Sequence, residues 1–140
     1  MKVHLFTDGG SRGNPGPGAC AFAAVVEIGT RSYSDGRLIH KRSEYLGNCT
    51  NNEAEYNGLK TALKWARSRD FKDIMIHSDS QLMIRQLNGQ YEVRSRRIIP
   101  LYNEVHDLLS SFRWRAVHHG REHRWISLCD SLLNEALDRR

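Results

Sequence analysis

The chain has 140 residues, of which 39% are hydrophobic and 26% are charged, and its formal net charge is +5. These values are typical of a soluble globular protein with one domain, here residues 1–140, and no apolar run is long enough to cross a bilayer. The first residues show no secretory signal, so we expect a cytoplasmic protein, and we also expect a monomer. The basic excess suits a polyanionic partner.

The three cysteines, Cys20, Cys49 and Cys129, are widely spaced and form no C-x-x-C pair. An odd number of cysteines without such a pair argues against disulfides and against structural zinc. We therefore expect all three side chains to be buried as small apolar groups.

The first half of the chain has the pattern of three strands followed by a helix. Alternating apolar and polar residues predict strands over residues 2–7, 19–28 and 33–45, and the Gly- and Pro-rich stretch between the first two is typical of a loop. From Asn51 the apolar residues recur with the spacing of an amphipathic helix, which we expect to end near Arg69.

The second half of the chain alternates between strands and helices. A short Ile and Met run predicts a buried strand over residues 72–78, and residues 80–87 and 99–110 have helical patterns. Residues 112–117 alternate as a strand, and an apolar stripe between residues 129 and 137 predicts a final helix. The order βββαβααβα predicts an α/β fold with a mixed sheet, antiparallel at first and parallel afterwards, flanked by helices.

Four acidic residues stand at strand ends or on inward helix faces. Asp8 closes the first strand, Asp79 ends the buried strand, and Glu55 and Asp130 lie on or beside the apolar stripes of two helices. Each has an ordinary structural explanation, as a turn residue, a helix cap or a charge favoured by the helix dipole. Together they would repel one another and resist burial unless a cation joined them, and an all-oxygen set favours Mg²⁺ or Mn²⁺ over zinc.

Four segments resemble the motifs of the type 1 ribonuclease H family, in its compact prokaryotic branch. They are FTDGGSRGNPGPGACAF (residues 6–22), TNNEAEYNGL (50–59), IHSDSQLMIRQLNGQYEV (76–93) and CDSLLNEALD (129–138). The resemblance implies a five-stranded mixed sheet flanked by helices. By position in the motifs, Asp8, Glu55, Asp79 and Asp130 match the four metal-binding carboxylates of the family.

The family resemblance also implies a reaction. It implies an endonuclease that hydrolyses the RNA strand of an RNA–DNA hybrid with two metal ions, Mg²⁺ or Mn²⁺, giving 5′-phosphate and 3′-hydroxyl ends. Such an enzyme must contact the 2′-hydroxyl groups that distinguish RNA from DNA.

Matching positions suggest the substrate contacts. Asn14, Asn52 and Gln81 resemble amides that touch hydroxyl groups and base edges, and Thr50 and Asn51 resemble a pocket for a DNA-strand phosphate. Turn formation and helix capping are the structural alternatives for Asn14 and Asn52. The loop arginines Arg94, Arg96 and Arg97 are candidates for the same surface, and a solvated basic loop explains them equally well.

The proton-transfer residue is less well defined. Many family members have a histidine ten residues before the last aspartate, where this chain has Gly120, and a polar residue where it has Ile126. His119 is the candidate here, with His118, Arg121 and His123 as rivals. The remaining histidines, His4, His40, His77 and His106, are expected to be structural or at the surface.

Two other functions remain as alternatives. Residues 16–21 fit G-x-G-x-x-A after a strand, but Pro17 removes a backbone donor and the β-branched residues that follow favour a strand over a helix, which disfavours dinucleotide binding. A non-catalytic module that binds hybrid or RNA on the same scaffold would be expected to lack at least one of the four carboxylates.

Overall fold

A computed structural model describes residues 1–140 and contains five strands and four α-helices. The strands are β1 (Lys2–Ser11), β2 (Gly16–Val26), β3 (Arg37–Cys49), β4 (Asp73–Ser78) and β5 (Arg113–His118). The helices are α1 (Asn51–Ser68), α2 (Gln81–Leu87), α3 (Ile99–Leu109) and α4 (Arg124–Asp138), and a short 3₁₀ helix covers Tyr33–Asp35. The predicted element order is confirmed.

The five strands form one mixed sheet in the order β3-β2-β1-β4-β5. The pairs β1–β2 and β2–β3 are antiparallel, whereas β1–β4 and β4–β5 are parallel. In the parallel pair β1–β4, Thr7 lies opposite Ser78. The residues that follow, Asp8 and Asp79, therefore reach the same edge of the sheet.

Helices cover both faces of the sheet, which explains why β2 is almost wholly buried. On one face, α1 and α3 enclose a core of 22 buried residues that includes Leu5, Leu59 and Leu63. On the other face, α4 packs against a second core of 10 buried residues that includes Phe6 and Ile126. Because side chains alternate along a strand, Asp8 follows Phe6 on the face that α4 covers.

Strand β1 is longer than the sequence pattern predicts. It continues through Asp8, Gly9 and Gly10 to Ser11, because β2 supplies an antiparallel partner for each of these residues. The predicted loop is confined to residues 12–15. The third strand begins at Arg37 instead of residue 33, since the chain first makes the 3₁₀ turn.

Gly9 allows α1 to approach the backbone of β1. A Cβ atom at Gly9 would lie 2.2 Å from the carbonyl carbon of Ala54, and one at Gly58 would lie 2.8 Å from the carbonyl oxygen of Asp8. No side chain larger than hydrogen fits at this contact without a shift of backbone. The approach brings the first turn of α1 beside Asp8.

The three cysteines are free and buried, as predicted. The Cys129 thiol of α4 donates a hydrogen bond to the carbonyl oxygen of Phe6, at an Sγ–O distance of 3.3 Å. None of the helices combines the length and the apolar character that crossing a bilayer requires.

Candidate metal centre and nucleic-acid interface

A cleft of about 310 Å³ opens where β1, α1 and α4 meet. Its lining is mostly polar and includes Asp8, Arg12, Asn51, Glu55, Arg121 and Asp130. Three of the four predicted carboxylates thus face one cavity.

Asp8, Glu55 and Asp79 form a carboxylate cluster whose possible ligand atoms all lie within 4.8 Å of one another. Asp8 comes from β1, Glu55 from the first turns of α1, and Asp79 from the residue after β4. Asp79 is free of a capping role because the Ser80 side chain caps α2 by accepting a hydrogen bond from the backbone of Met83.

Burial and mutual repulsion make this cluster unfavourable when all three groups are ionised. Burial first, and the neighbouring Asp79 second, raise the pKa of Asp8 to about 8. Burial, followed by Asp8 and Asp79, raises the pKa of Glu55 well above its usual value. Glu55 Oε2 and Asp79 Oδ1 are buried without a hydrogen-bond partner. Unpaired buried oxygens and close like charges are what a divalent cation would stabilise, so the residues fit an oxygen-ligated metal.

Asp130 lies apart from the other three. It is exposed on α4, where its Oδ1 accepts a hydrogen bond from Asn134 Nδ2 at 3.3 Å. It lines the same cleft and also contributes to the raised pKa of Asp8, but it is outside the closely spaced cluster.

The four proton-transfer candidates lie between the last residue of β5 and the N-cap of α4. Arg121 Nε donates to Asp79 Oδ2 at 3.2 Å, and Arg121 is the one candidate that lines the cleft. His119 Nε2 lies 2.7 Å from His77 Nδ1, and His123 Nε2 lies 3.1 Å from Ser34 Oγ. His118 is exposed at the end of β5.

The predicted phosphate pocket surrounds the start of α1. Thr50 caps the helix, since its hydroxyl accepts from the backbone N–H of Glu53 while the Glu53 carboxylate accepts from the backbone N–H of Thr50. Asn14 Oδ1 accepts from the backbone N–H of Asn51 at 3.1 Å, and Asn51 Oδ1 accepts from the backbone N–H of Ser11 at 2.8 Å. The amide oxygens of Asn14 and Asn51 are thus engaged, and because both residues are exposed, their Nδ2 groups remain available as donors.

The other predicted contacts lie at the surface. Asn52 and Gln81 are exposed in the first turns of α1 and α2. Among the loop arginines, Arg97 binds Glu53 at 3.0 Å, Arg94 pairs with its neighbour Glu92, and Arg96 is exposed. The structure therefore brings one of the three arginines beside the predicted phosphate pocket, through its contact with Glu53.

A family model described as "Reverse transcriptase-like" matches residues 7–124. The chain is 36% identical over 138 residues to the ribonuclease HI of Halobacterium salinarum, covering 98% of this chain and 65% of that protein. The crystal structure of RNase H1 from that archaeon superposes with a TM-score of 0.89 at 35% identity, and the match covers all of both chains. The chain belongs to the type 1 ribonuclease H family.

Two further relatives are a longer protein and a structure solved with a bound nucleic acid. The bifunctional protein Rv2228c of Mycobacterium tuberculosis is 32% identical over 143 residues, a match that covers 99% of this chain and 36% of that protein. The crystal structure of LC11-RNase H1 in complex with an RNA/DNA hybrid has a TM-score of 0.87 at 29% identity, covering 98% of this chain and 97% of that one. The chain thus spans about two thirds or less of the first curated relatives that it matches.

Sequence reasoning missed Arg12 and the environment of the buried histidines. Arg12 lines the cleft and pairs with Asp138 of α4 at 2.7 Å. His4 and His77, predicted to be structural or at the surface, are buried and hydrogen-bonded to each other. No local pattern marks these residues, because their contacts depend on which strands and helices lie side by side.

Proposed function

We propose that this chain is a metal-dependent endonuclease that hydrolyses the RNA strand of RNA–DNA hybrids and leaves 5′-phosphate and 3′-hydroxyl ends. The carboxylate cluster carries the proposal, because its three possible ligand atoms lie within 4.8 Å of one another and two of its oxygens are buried without partners. Membership in the ribonuclease H family and the likeness to a solved RNase H1 in complex with an RNA/DNA hybrid support the substrate.

Asp8, Glu55 and Asp79 would hold the divalent ion, and Asp130 would add a ligand from α4. We propose Mg²⁺ or Mn²⁺, with two ions when substrate is bound. Bound in this way, the ions would supply an activated water and stabilise the leaving oxygen. The water oxygen forms a bond to phosphorus, the bond from phosphorus to the 3′ oxygen breaks, and a proton ends on that oxygen.

The chain's own groups prepare the cluster for this reaction. The backbone N–H of Gly9 donates to Asp8 Oδ1 at 2.9 Å, which fixes the orientation of that carboxylate. The raised pKa values of Asp8 and Glu55 mean that metal binding displaces protons from the cluster. Among the four loop candidates, contact with Asp79 and the cleft supports Arg121 as the group that faces the reacting phosphate. A proton-transfer role for His119 stays a prediction.

The proposed substrate contacts use exposed amide side chains. We propose that Asn14, Asn52 and Gln81 contact hydroxyl groups and base edges in the minor groove of the hybrid. Thr50 and Asn51 would bind a DNA-strand phosphate at the N-terminus of α1 through the Thr50 hydroxyl and the Asn51 Nδ2 group, where the helix dipole favours an anion. Arg94, Arg96 and Arg97 would add positive charge along the same surface.

The test is cleavage of end-labelled RNA–DNA hybrid, double-stranded RNA and single-stranded RNA, each with and without Mg²⁺ or Mn²⁺. We expect metal-dependent cleavage of the RNA in the hybrid alone. Asp79→Asn should lower the rate by about a hundredfold or more, because one ligand and its charge are lost from the reacting centre. Asp107→Asn, which changes an exposed aspartate of α3, is the matched control and should cleave like the unmodified chain.

Two results would contradict this proposal. Cleavage that survives EDTA or Asp79→Asn would refute the metal mechanism, and tight hybrid binding without cleavage would favour the non-catalytic binding module. A single domain over residues 1–140, a monomeric state and a cytoplasmic location stay predictions, and size-exclusion chromatography would test the second.

A further inference from the structure

A series of hydrogen-bonded imidazoles runs across neighbouring strands of the sheet, from the end of β2 to the end of β5. It begins at Glu27, just after β2, whose Oε1 lies 2.9 Å from His4 Nε2. His4 Nδ1 lies 2.9 Å from His77 Nε2, and His77 Nδ1 lies 2.7 Å from His119 Nε2. His4 is 1% exposed and His77 is fully buried, so water does not compete for the contact between these two rings.

The carboxylate at one end fixes the direction of every hydrogen bond. The ionised Glu27 carboxylate only accepts, so His4 must carry its proton on Nε2 and accept on Nδ1. His77 then donates from Nε2 and accepts on Nδ1, which a neutral ring alone can do. His119 therefore carries its proton on Nε2, directed at His77 at 2.7 Å with the Tyr33 hydroxyl oxygen at 3.4 Å, and leaves Nδ1 without a proton. Burial lowers the pKa of His4 and of His119, which agrees with neutral rings at both positions.

The last imidazole belongs to the loop that reaches the cleft. The backbone N–H of His119 donates to the carbonyl oxygen of Ser78, the residue before Asp79, at 2.9 Å. Two residues later, Arg121 contacts Asp79. On the other side of Arg121, His123 Nε2 contacts Ser34 Oγ at 3.1 Å. The loop is thus held by an imidazole on each side of Arg121.

We propose that Glu27 is a positioning residue for the nuclease reaction, acting through His4 and His77 to fix the tautomer of His119 and to hold the loop that presents Arg121. The Glu27 side chain contacts His4 near the start of β1, whereas Asp8 lies four residues further along the same strand. This inference depends on the proposed function for its effect on rate, but the tautomer that it assigns is independent of that function.

Reversing the hydrogen bond between residue 27 and His4 directly tests whether Glu27 sets the direction of the following bonds. A lysine ammonium only donates, so Glu27→Lys should make His4 accept on Nε2 and reverse each following bond. Glu27 has room for this change because its side chain is 49% exposed. Glu27→Gln keeps an amide oxygen that can accept, so it should preserve the original direction. Glu44→Lys, which alters an exposed glutamate of β3 by the same charge, is the matched control.

The first measurement is ¹⁵N NMR of the histidine rings without metal. In the unmodified chain, in Glu27→Gln and in Glu44→Lys, the proton of His119 should be on Nε2, whereas in Glu27→Lys it should be on Nδ1. An unchanged His119 tautomer in a folded Glu27→Lys protein would overturn the proposal. If that variant does not fold, Glu27→Ala removes the acceptor without adding charge and should give mixed tautomers, and a single unmodified tautomer there would also overturn it.

The second measurement is hybrid cleavage with saturating metal. Glu27→Lys should lower kcat about tenfold, less than the hundredfold cost of an ångström displacement at a reacting centre, while its KM matches that of Glu44→Lys. A reversed tautomer with unchanged kcat would refute the positioning role. Failure of the unmodified protein to cleave any hybrid would instead refute the proposed function. The tautomers would still decide whether Glu27 sets the direction of the hydrogen bonds between the histidines.

Discussion

Replacing Asp8 with Asn should remove much of the pH dependence of stability that the carboxylate cluster gives to the metal-free protein. Burial, and then the neighbouring Asp79, raise the pKa of Asp8 from 3.8 to about 8. A carboxyl group with a raised pKa in the folded state binds more protons there than in the unfolded chain. It therefore stabilises the fold at low pH, and this contribution is lost as the pH rises toward 8.

The magnitude follows from the pH window. Between pH 5 and pH 8 Asp8 is ionised in the unfolded chain and mostly protonated in the folded one. Its contribution to the free energy of unfolding therefore falls by about 1.4 kcal/mol for each unit that the pH rises. The free energy of unfolding of the unmodified chain should fall by about 4 kcal/mol relative to Asp8→Asn across this window. The buried histidines work in the opposite direction below pH 6.5, since burial lowers the pKa of His77 to about 2, but they are common to both proteins.

The assay is urea denaturation in EDTA at pH 5, 6, 7 and 8 for the unmodified chain, Asp8→Asn and the exposed control Asp107→Asn. Asp107→Asn should follow the unmodified chain at every pH. Saturating Mg²⁺ should reduce the fall in the free energy of unfolding of the unmodified chain between pH 5 and pH 8, because metal binds the ionised carboxylates. Parallel curves for the unmodified chain and Asp8→Asn would refute the raised pKa and the argument for a cation that depends on it.

Three other predictions concern the packing of α1 on β1, the Arg97–Glu53 ion pair and the salt dependence of hybrid binding. Gly9→Ala should destabilise the fold by about 3 kcal/mol or more in thermal melts, because the new Cβ atom would lie 2.2 Å from the backbone of α1. Gly10→Ala is the control and should be nearly neutral, since the atoms nearest to its Cβ are 3.9 Å away. Equal melting temperatures for the two variants would contradict the close approach of α1. Arg97→Ala should weaken hybrid binding about twofold to fivefold by loosening Glu53 and the phosphate pocket, with Arg94→Ala as the control, and equal losses in the two variants would argue against that role. The logarithm of hybrid affinity should fall linearly with the logarithm of salt concentration, and a flat dependence would contradict phosphate binding by this basic chain.

The sequence predicted the fold because its patterns are local. The helical stripe that contains Leu59 and Leu63 and the alternation of β1 are both set by residues a few positions apart, and the confirmed element order follows from them. Boundaries were less accurate at Gly9 and Gly10. Two glycines are typical of a loop, but pairing with β2 keeps them in a strand.

The candidate site was predicted through acidic residues at strand ends and on an apolar helix face. The structure brings Asp8, Glu55 and Asp79 together, as expected of a cation site. It leaves Asp130 at the rim, because the apolar stripe of α4 turns Cys129 into the core and the next residue toward solvent. A helical pattern alone does not give the distance of that carboxylate from the others.

By itself, the sequence determined the order of elements, the two apolar faces and the identity of the acidic residues, since each depends on neighbours along the chain. Only the tertiary structure decided that Gly9 sets the approach of α1, that Arg121 contacts Asp79, and that Glu27 is linked to His119 through two buried histidines. These features depend on strand register and helix packing, which join residues far apart in the chain, such as His4 and His77, 73 positions apart. Contacts of that range have no local signature, because they form only when the whole sheet is assembled.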